Sequence, residues 1–349
     1  MNIVIVTDAW HPQVNGVVRT LETVGRELAA LGHLVTFVTP DRFTTIPCPT
    51  YPEIRLALFP RRRLARLIEA AQPCAIHIAT EGPLGFAARS YCKAKGLPFT
   101  TAVHTKFPEY LHARTRIPLD LSYAAMRWFH GGATRVMVAT ESLRRELEAR
   151  GFQNLVAWTR GVDVDLFRPR DSKQDFLPLP RPLWLYVGRV AVEKNIGAFL
   201  DLDLPGTKMV VGEGPQLATL TRKYPKVKFV GPKFGDDLAR HYAASDVFVF
   251  PSRTDTFGLV LLEALACGLP VAAYPVTGPR DVVGGTAVAC LDEDLVRAAE
   301  TALTIDPAAC RQFALGFSWR ASAEQFARNL QPFRADGAPA EIVSRPARA

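Results

Sequence analysis

The stretch PSRTDTFGLVLLEALACGLPVA, Pro251–Ala272, decides how the chain is read. An apolar run, Asp246–Phe250 (DVFVF), precedes it and reads as a buried strand, and a second apolar run begins after Gly268-Leu269-Pro270. Between them the pattern places Asp255 in a loop, Gly258 at a turn and Glu263 on a helix, eight residues after Asp255. A loop–helix junction at the carboxyl end of a parallel strand is where open α/β sheets bind ligands. The free N–H groups of that helix's first turn favour an anionic group such as a diphosphate. Two carboxylates nearby are badly placed for phosphate but well placed to accept hydrogen bonds from sugar hydroxyls. This is the chemistry of a nucleotide-sugar site.

The same alternation of short apolar strands and amphipathic helices runs along the chain. Asn2–Thr7, Leu34–Thr39, Ala75–Ile78, Thr100–Val103 and Arg135–Ala139 read as strands, with helical stretches such as Val18–Leu31 between them. The pattern restarts at Leu183–Val187 and continues through Lys208–Val211, Lys228–Val230, Asp246–Phe250 and Pro270–Ala273. Strands separated by helices predict parallel sheets of βαβ units. The expected fold class is therefore α/β, with two consecutive Rossmann-like parallel-sheet domains and a cleft between them. The first covers residues 1–168 and the second 183–316. Residues 169–182, polar, Pro-rich and without periodicity, form the expected linker. Residues 317–330 read as a C-terminal helix, and 331–349, rich in Pro, Ala and Arg with little to bury, as a disordered tail.

Further chemistry lies at the ends of other strands. After Leu183–Val187 the chain reads GRVAVEKN, which puts Arg189 and Lys194 where they could clamp a diphosphate from two sides, exposed in the cleft. Alone, such a pair more often marks two ordinary surface cations. Val211–Pro215 (VGEGP) offers close backbone approach at Gly212, although a lone G-x-G more often marks a tight turn. In the first domain, Asn15-Gly16 joins the first strand to the first helix, and His104 ends the strand Thr100–Val103 facing the cleft.

Taken together, the Asp255-x7-Glu263 spacing and the GR-x4-K pattern resemble retaining glycosyltransferases of the two-Rossmann-domain GT-B type, family 4 (glycosyl transferases group 1), over about residues 1–330. The resemblance implies roles residue by residue. Arg189 and Lys194 would hold the donor diphosphate and stabilise the leaving group. Glu263 would bind the ribose, and Asp255 the sugar hydroxyls, assisted by backbone N–H groups at Phe257, Gly258 and Leu259. Lys233 and Phe234, in the segment PKFG, would read the nucleobase edge through their backbone. Asn15 and Gly16 match the family's glycine-rich loop, with NG where many relatives have GG. His104 would contact the donor sugar near the reacting carbon. Arg160–Asp163 (RGVD) resembles an N-x-V-D hinge, and the C-terminal helix would cross back onto the first domain. The resemblance also implies same-face substitution without a divalent metal or cofactor. Asp201-Leu202-Asp203 has D-x-D spacing but lies remote from the other motifs. The first acid is usually Glu in this family; here it is Asp255, one methylene shorter.

The forms TDTFGLV and TDAWHPQVNGVVRTL look most like the subgroup that glycosylates diacylglycerol. That resemblance implies transfer of a hexose, such as glucose or glucuronic acid, from a UDP-linked donor to a lipid. A GDP-mannose-dependent mannosyltransferase remains open, as does a non-catalytic nucleotide-binding protein. A dinucleotide oxidoreductase is disfavoured because the first strand does not run into G-x-G-x-x-G.

Charge and composition bear on the partner. The net charge of +8 is uneven: residues 1–168 carry 21 Lys/Arg against 14 Asp/Glu, and residues 169–349 carry 21 against 20. A basic half suggests an anionic partner, or merely a basic solvated surface. Arg55–Leu67 (RLALFPRRRLARL) mixes arginines with leucines and Phe59, and Phe107–Phe129 interleaves Phe107, Tyr110, Leu121, Trp128 and others with Arg114, Arg116 and Arg127. Such segments suit a peripheral site on an anionic membrane face, or a core with exposed arginines. No nucleic-acid module accompanies them. Six scattered cysteines without metal spacing suggest a reducing, cytoplasmic setting, and the chain shows no signal peptide.

Overall fold

A computed structural model describes residues 1–13, 15–48, 51–170 and 176–334. The expected tail from 335 onward, linker residues 171–175 and the side chains of Tyr110 and Arg114 lie outside the described residues.

The first half contains β1 (Asn2–Val6), α1 (Gly16–Ala30), β2 (Leu34–Val38), the antiparallel hairpin β3 (Thr45–Cys48) and β4 (Tyr51–Ala57), α2 (Arg61–Ala71), β5 (Ala75–Ile78), α3 (Pro83–Lys95), β6 (Thr100–Val103), α4 (Phe107–Thr115), α5 (Leu119–His130), β7 (Arg135–Val138), α6 (Glu141–Ala149) and β8 (Leu155–Ala157). Its main sheet is parallel, in the order β2-β1-β5-β6-β7-β8. The second half contains β9 (Leu183–Val187), α7 (Ile196–Leu200), β10 (Thr207–Val211), α8 (Leu217–Lys223), β11 (Lys228–Phe229), α9 (Gly235–Ala244), β12 (Val247–Phe250), α10 (Leu259–Ala266), β13 (Val271–Ala273), α11 (Thr277–Val283), β14 (Ala289–Leu291), α12 (Leu295–Ala302), α13 (Pro307–Ala314) and α14 (Trp319–Asn329). Its sheet is also parallel, in the order β11-β10-β9-β12-β13-β14.

Helices cover both faces of each sheet, which is why the central strands are apolar throughout. On β9, Leu183, Leu185 and Val187 enter the core on one face, while Trp184 and Tyr186 enter the core on the other. On β1 the same alternation sends Val4 and Val6 to one side and Ile3 and Ile5 to the other. In each sheet the strand order reverses beside the first strand, at β1/β5 and at β9/β12, and the crevice beyond such a reversal is where ligands bind.

The chain crosses between the halves twice, and the crossings touch where Val162 N–H donates to the Phe317 carbonyl at 3.1 Å. After the second crossing, α14 packs on α1. Phe326 and Ala323 join the core of Ile3, Ile5 and Trp158, and Ser322 Oγ donates to the Thr159 carbonyl at 2.8 Å. Burying Phe326 contributes roughly 1.5–3 kcal/mol to holding the helix there.

The β3–β4 hairpin, β8 and β14 were not among the expected strands. Pro47 and Pro52 interrupt the hairpin, which is tolerated because it pairs only with itself. The other two are three residues each, too short to show a period.

Candidate active site

Gly258, at φ +86°, turns the chain from the Asp255 loop into α10, a conformation that a side chain would strain. Among the described residues no side chain caps that helix end. The loop is fixed from both domains. Thr254 Oγ1 donates to the Glu193 carbonyl at 3.1 Å, and Asn195 Nδ2 to the Pro251 carbonyl at 3.1 Å. From the other side, Thr256 Oγ1 donates to the His104 carbonyl at 2.7 Å, and Thr140 Oγ1 to the Thr256 carbonyl at 3.3 Å. Asp255 Oδ1 is ion-paired with Lys194 Nζ. Arg189 pairs through Nη2 with Glu53 of β4, and its Nε lies 4.0 Å from Glu193. The expectation that Arg189 and Lys194 stand exposed is therefore corrected. Their side chains are 30% and 23% exposed, because acids from both domains close over them.

Glu263 is buried on α10, with one oxygen 2.5 Å from Arg19 Nη2 and the other accepting from the Tyr242 hydroxyl at 2.9 Å. Burial and the adjacent carboxylate hold the Tyr242 phenol well above its ordinary pKa. The amino ends of α1 and α10 face each other, since a Cβ on Gly16 would meet Leu259 Cδ1 at 3.7 Å.

Asn15 caps the helix that follows the loop. Its Oδ1 caps α1, accepting from the N–H groups of Val17 and Val18, both at 3.0 Å. The asparagine thus occupies donors that a GG loop would leave for a ligand. Gly212 abuts the other glycine of the clamp loop: a Cβ there would lie 1.9 Å from the Gly188 carbonyl oxygen, so packing alone requires glycine. Lys233 pairs with Asp237 at 3.1 Å, and Phe234 is exposed at the start of α9.

The cleft thus gathers Arg189, Lys194, Asp255, Glu263, Gly16 and His104 between two parallel sheets. Family models confirm what that gathering suggests. One described as Glycosyltransferase Family 4 matches residues 14–166, and one described as Glycosyl transferases group 1 matches residues 181–305. A GDP-mannose-dependent alpha-mannosyltransferase of Mycobacterium tuberculosis is 30% identical over 309 residues, covering 81% of each chain. The chain belongs to glycosyltransferase family 4.

An alpha-monoglucosyldiacylglycerol synthase of Streptococcus pneumoniae is 25% identical to this glycosyltransferase, covering 96% of this chain and 86% of the relative. Among solved structures, sucrose-phosphate synthase from Thermosynechococcus elongatus superposes with a TM-score of 0.75 at 23% identity, covering 93% of this chain and 97% of that one. The likeness establishes the GT-B fold.

Sequence reasoning missed several groups of this family 4 glycosyltransferase. Arg19, Tyr242, Glu53 and Thr256 act across the cleft or between helices; Arg19 and Thr256 lie inside the quoted motifs, but their partners come from distant segments. Arg160 stands in the hinge-like RGVD segment, but its contacts reach beyond it. It is buried, stacks 4.0 Å from the Trp158 ring, donates to the Trp158 carbonyl at 2.6 Å, and brings Nη2 within 3.5 Å of His104 Nδ1. Burial, with this cation beside it, holds His104 well below its ordinary pKa, so the ring is neutral at neutral pH. Nδ1 faces a donor and therefore acts as acceptor. The ring proton is left on Nε2, which has no partner among the described residues.

Proposed function

We propose that this glycosyltransferase transfers a hexose, with retention, from a UDP-linked donor to a lipid hydroxyl, with diacylglycerol as the acceptor class. The observation that carries the reading is the convergence of Arg189, Lys194, Asp255 and Glu263 at the amino end of α10, beside His104 from the other domain. Arg189 and Lys194 take the diphosphate in place of the acids they now meet. As the bond from the anomeric carbon to the phosphate oxygen breaks, their charge stabilises the leaving group. The acceptor oxygen attacks from the same face and its proton passes to a leaving phosphate oxygen. The products are a glycolipid and a nucleoside diphosphate. Two fixed cations supply charge that a divalent metal would otherwise supply, so turnover should survive a chelator. The mannosyltransferase relative favours a second reading, with GDP-mannose as donor.

The lipid acceptor is supported by the surface of the first domain as well as by the diacylglycerol-related relative. Phe59 is 94% exposed at the tip before α2, next to exposed Arg61, Arg62 and Arg63. Leu64 and Ile68 of the same helix are buried, so only part of that segment is free to meet a membrane. On α5, Leu121 and Trp128 are exposed, Phe86 of α3 stacks on Trp128, and the Arg89 guanidinium lies 3.8 Å from that ring. α2 packs on α3, and Phe86 of α3 also packs on Phe129 of α5, so these groups share one side of the sheet. Among the described residues no helix is long and apolar enough to cross a membrane.

Assays with UDP- and GDP-hexoses and diacylglycerol in vesicles test both halves of the reading. Binding should require anionic lipid and fall with salt. Changing Arg61, Arg62 and Arg63 together to Ser should weaken it by up to roughly 10²-fold at low salt, at about 1 kcal/mol per charge. Indifference to anionic vesicles, with transfer to a water-soluble acceptor, would remove the lipid acceptor and leave the sugar donor standing.

A further inference from the structure

The contact between Arg19 and Glu263 spans the cleft, and no motif accounts for it. Arg19 stands in α1, four residues after the Asn15 cap. Its Nη2 reaches Glu263 Oε1 at 2.5 Å, while Glu263 Oε2 is held by the Tyr242 hydroxyl at 2.9 Å. The Glu263 side chain is 5% exposed and the Arg19 side chain 38%. A carboxylate buried that deeply needs a counter-charge, because an uncompensated buried ion costs several kcal/mol. Here the counter-charge comes from the opposite domain, and the carboxylate in turn raises the pKa of Arg19 above its ordinary value.

An ionised carboxylate offers about four lone-pair sites. Arg19 and Tyr242 occupy one on each oxygen, leaving about two for further donors, the number a vicinal diol presents. We propose that Arg19 is a positioning residue for the nucleotide ribose. With Tyr242 it fixes the Glu263 carboxylate so that its remaining lone pairs accept the two ribose hydroxyls. Because Arg19 belongs to the first domain, ribose recognition is coupled to a closed cleft. This rests on the reading above, in which Glu263 binds the ribose. The competing possibility is a plain latch that the ribose must displace, and the two predict opposite signs.

The experiment measures binding of UDP and GDP, and of their 2′-deoxy forms, to wild type, Arg19→Gln and Arg19→Lys, with melting temperature as the folding control. Wild type should prefer the ribonucleotide. Arg19→Gln should weaken ribonucleotide binding by roughly tenfold or more, the worth of a hydrogen bond to a charged group, and lose most of the ribo/deoxy preference. Arg19→Lys should recover part of it. The donor KM should rise while kcat at saturating donor stays within about threefold, since Arg19 does not face the bond that breaks. If Arg19→Gln unfolds, Arg19→Lys carries the test, with an intermediate preference expected and an unchanged one overturning the proposal. Unchanged preference in Arg19→Gln, or tighter nucleotide binding, also overturns it. A wild type that binds nucleotide without any ribo/deoxy preference would instead overturn the assignment of Glu263.

Discussion

Alanine at Arg189 or at Lys194 is expected to lower kcat by about 10²–10³-fold, with the second-order constant falling in step. Each cation meets charge that grows as the phosphate leaves, so its loss is felt in the transition state more than in donor binding. In the structure the two cations already sit against acids, Arg189 against Glu53 and Lys194 against Asp255. Part-buried carboxylates hold positions that compete with the donor's phosphate oxygens. Neutralising Glu53 as Glu53→Gln should therefore act the other way, lowering the donor KM severalfold with little change in kcat. Steady-state kinetics over a donor series separates the two patterns. Near wild-type turnover in Arg189→Ala would remove the clamp from the mechanism. Both alanine variants should fold, since the side chains of Arg189 and Lys194 retain solvent contact at 30% and 23% exposure.

Much of the fold was legible because parallel strands covered on both faces are continuous apolar runs. Ala75–Ile78, Thr100–Val103 and Leu183–Val187 carry no polar interruption other than His77 and the threonines at 100 and 101, and they end where the pattern places them. The β3–β4 hairpin was not legible, since its prolines contradict strand propensity and only self-pairing rescues it. The site divides along the same line. Residues on one continuous loop, such as Asp255 and Gly258, announce themselves by spacing. Glu53 and Arg19 do not, because their roles exist only once two distant segments meet. Asn15 is a different case. An asparagine directly before a helical apolar run is a capping signal, and here that cap falls on the same residue that resembles a glycine-rich loop.

The shortened acid gives the sharpest test of the site. Asp255 lies in a loop tied to His104 through Thr256 and to the clamp through Lys194, and a Cβ on Gly278 would come within 2.7 Å of its own carbonyl oxygen. The loop therefore has little room to follow a change of side-chain length. Asp255→Asn keeps the shape but replaces one acceptor oxygen with a donor that faces donating sugar hydroxyls, and it removes the charge that Lys194 meets. Activity should fall by about 10²-fold or more, of the order seen when one partner of a charged hydrogen bond is lost. Stability should change by no more than about 1 kcal/mol, because the pair retains solvent contact. Asp255→Glu should keep the charge and retain partial activity, limited by loop fit. Donor-saturated rates alongside melting curves distinguish these outcomes. Small and equal effects from both substitutions would show that Asp255 only shapes the loop, and the sugar-hydroxyl role would pass to another group on the α10 side of the cleft.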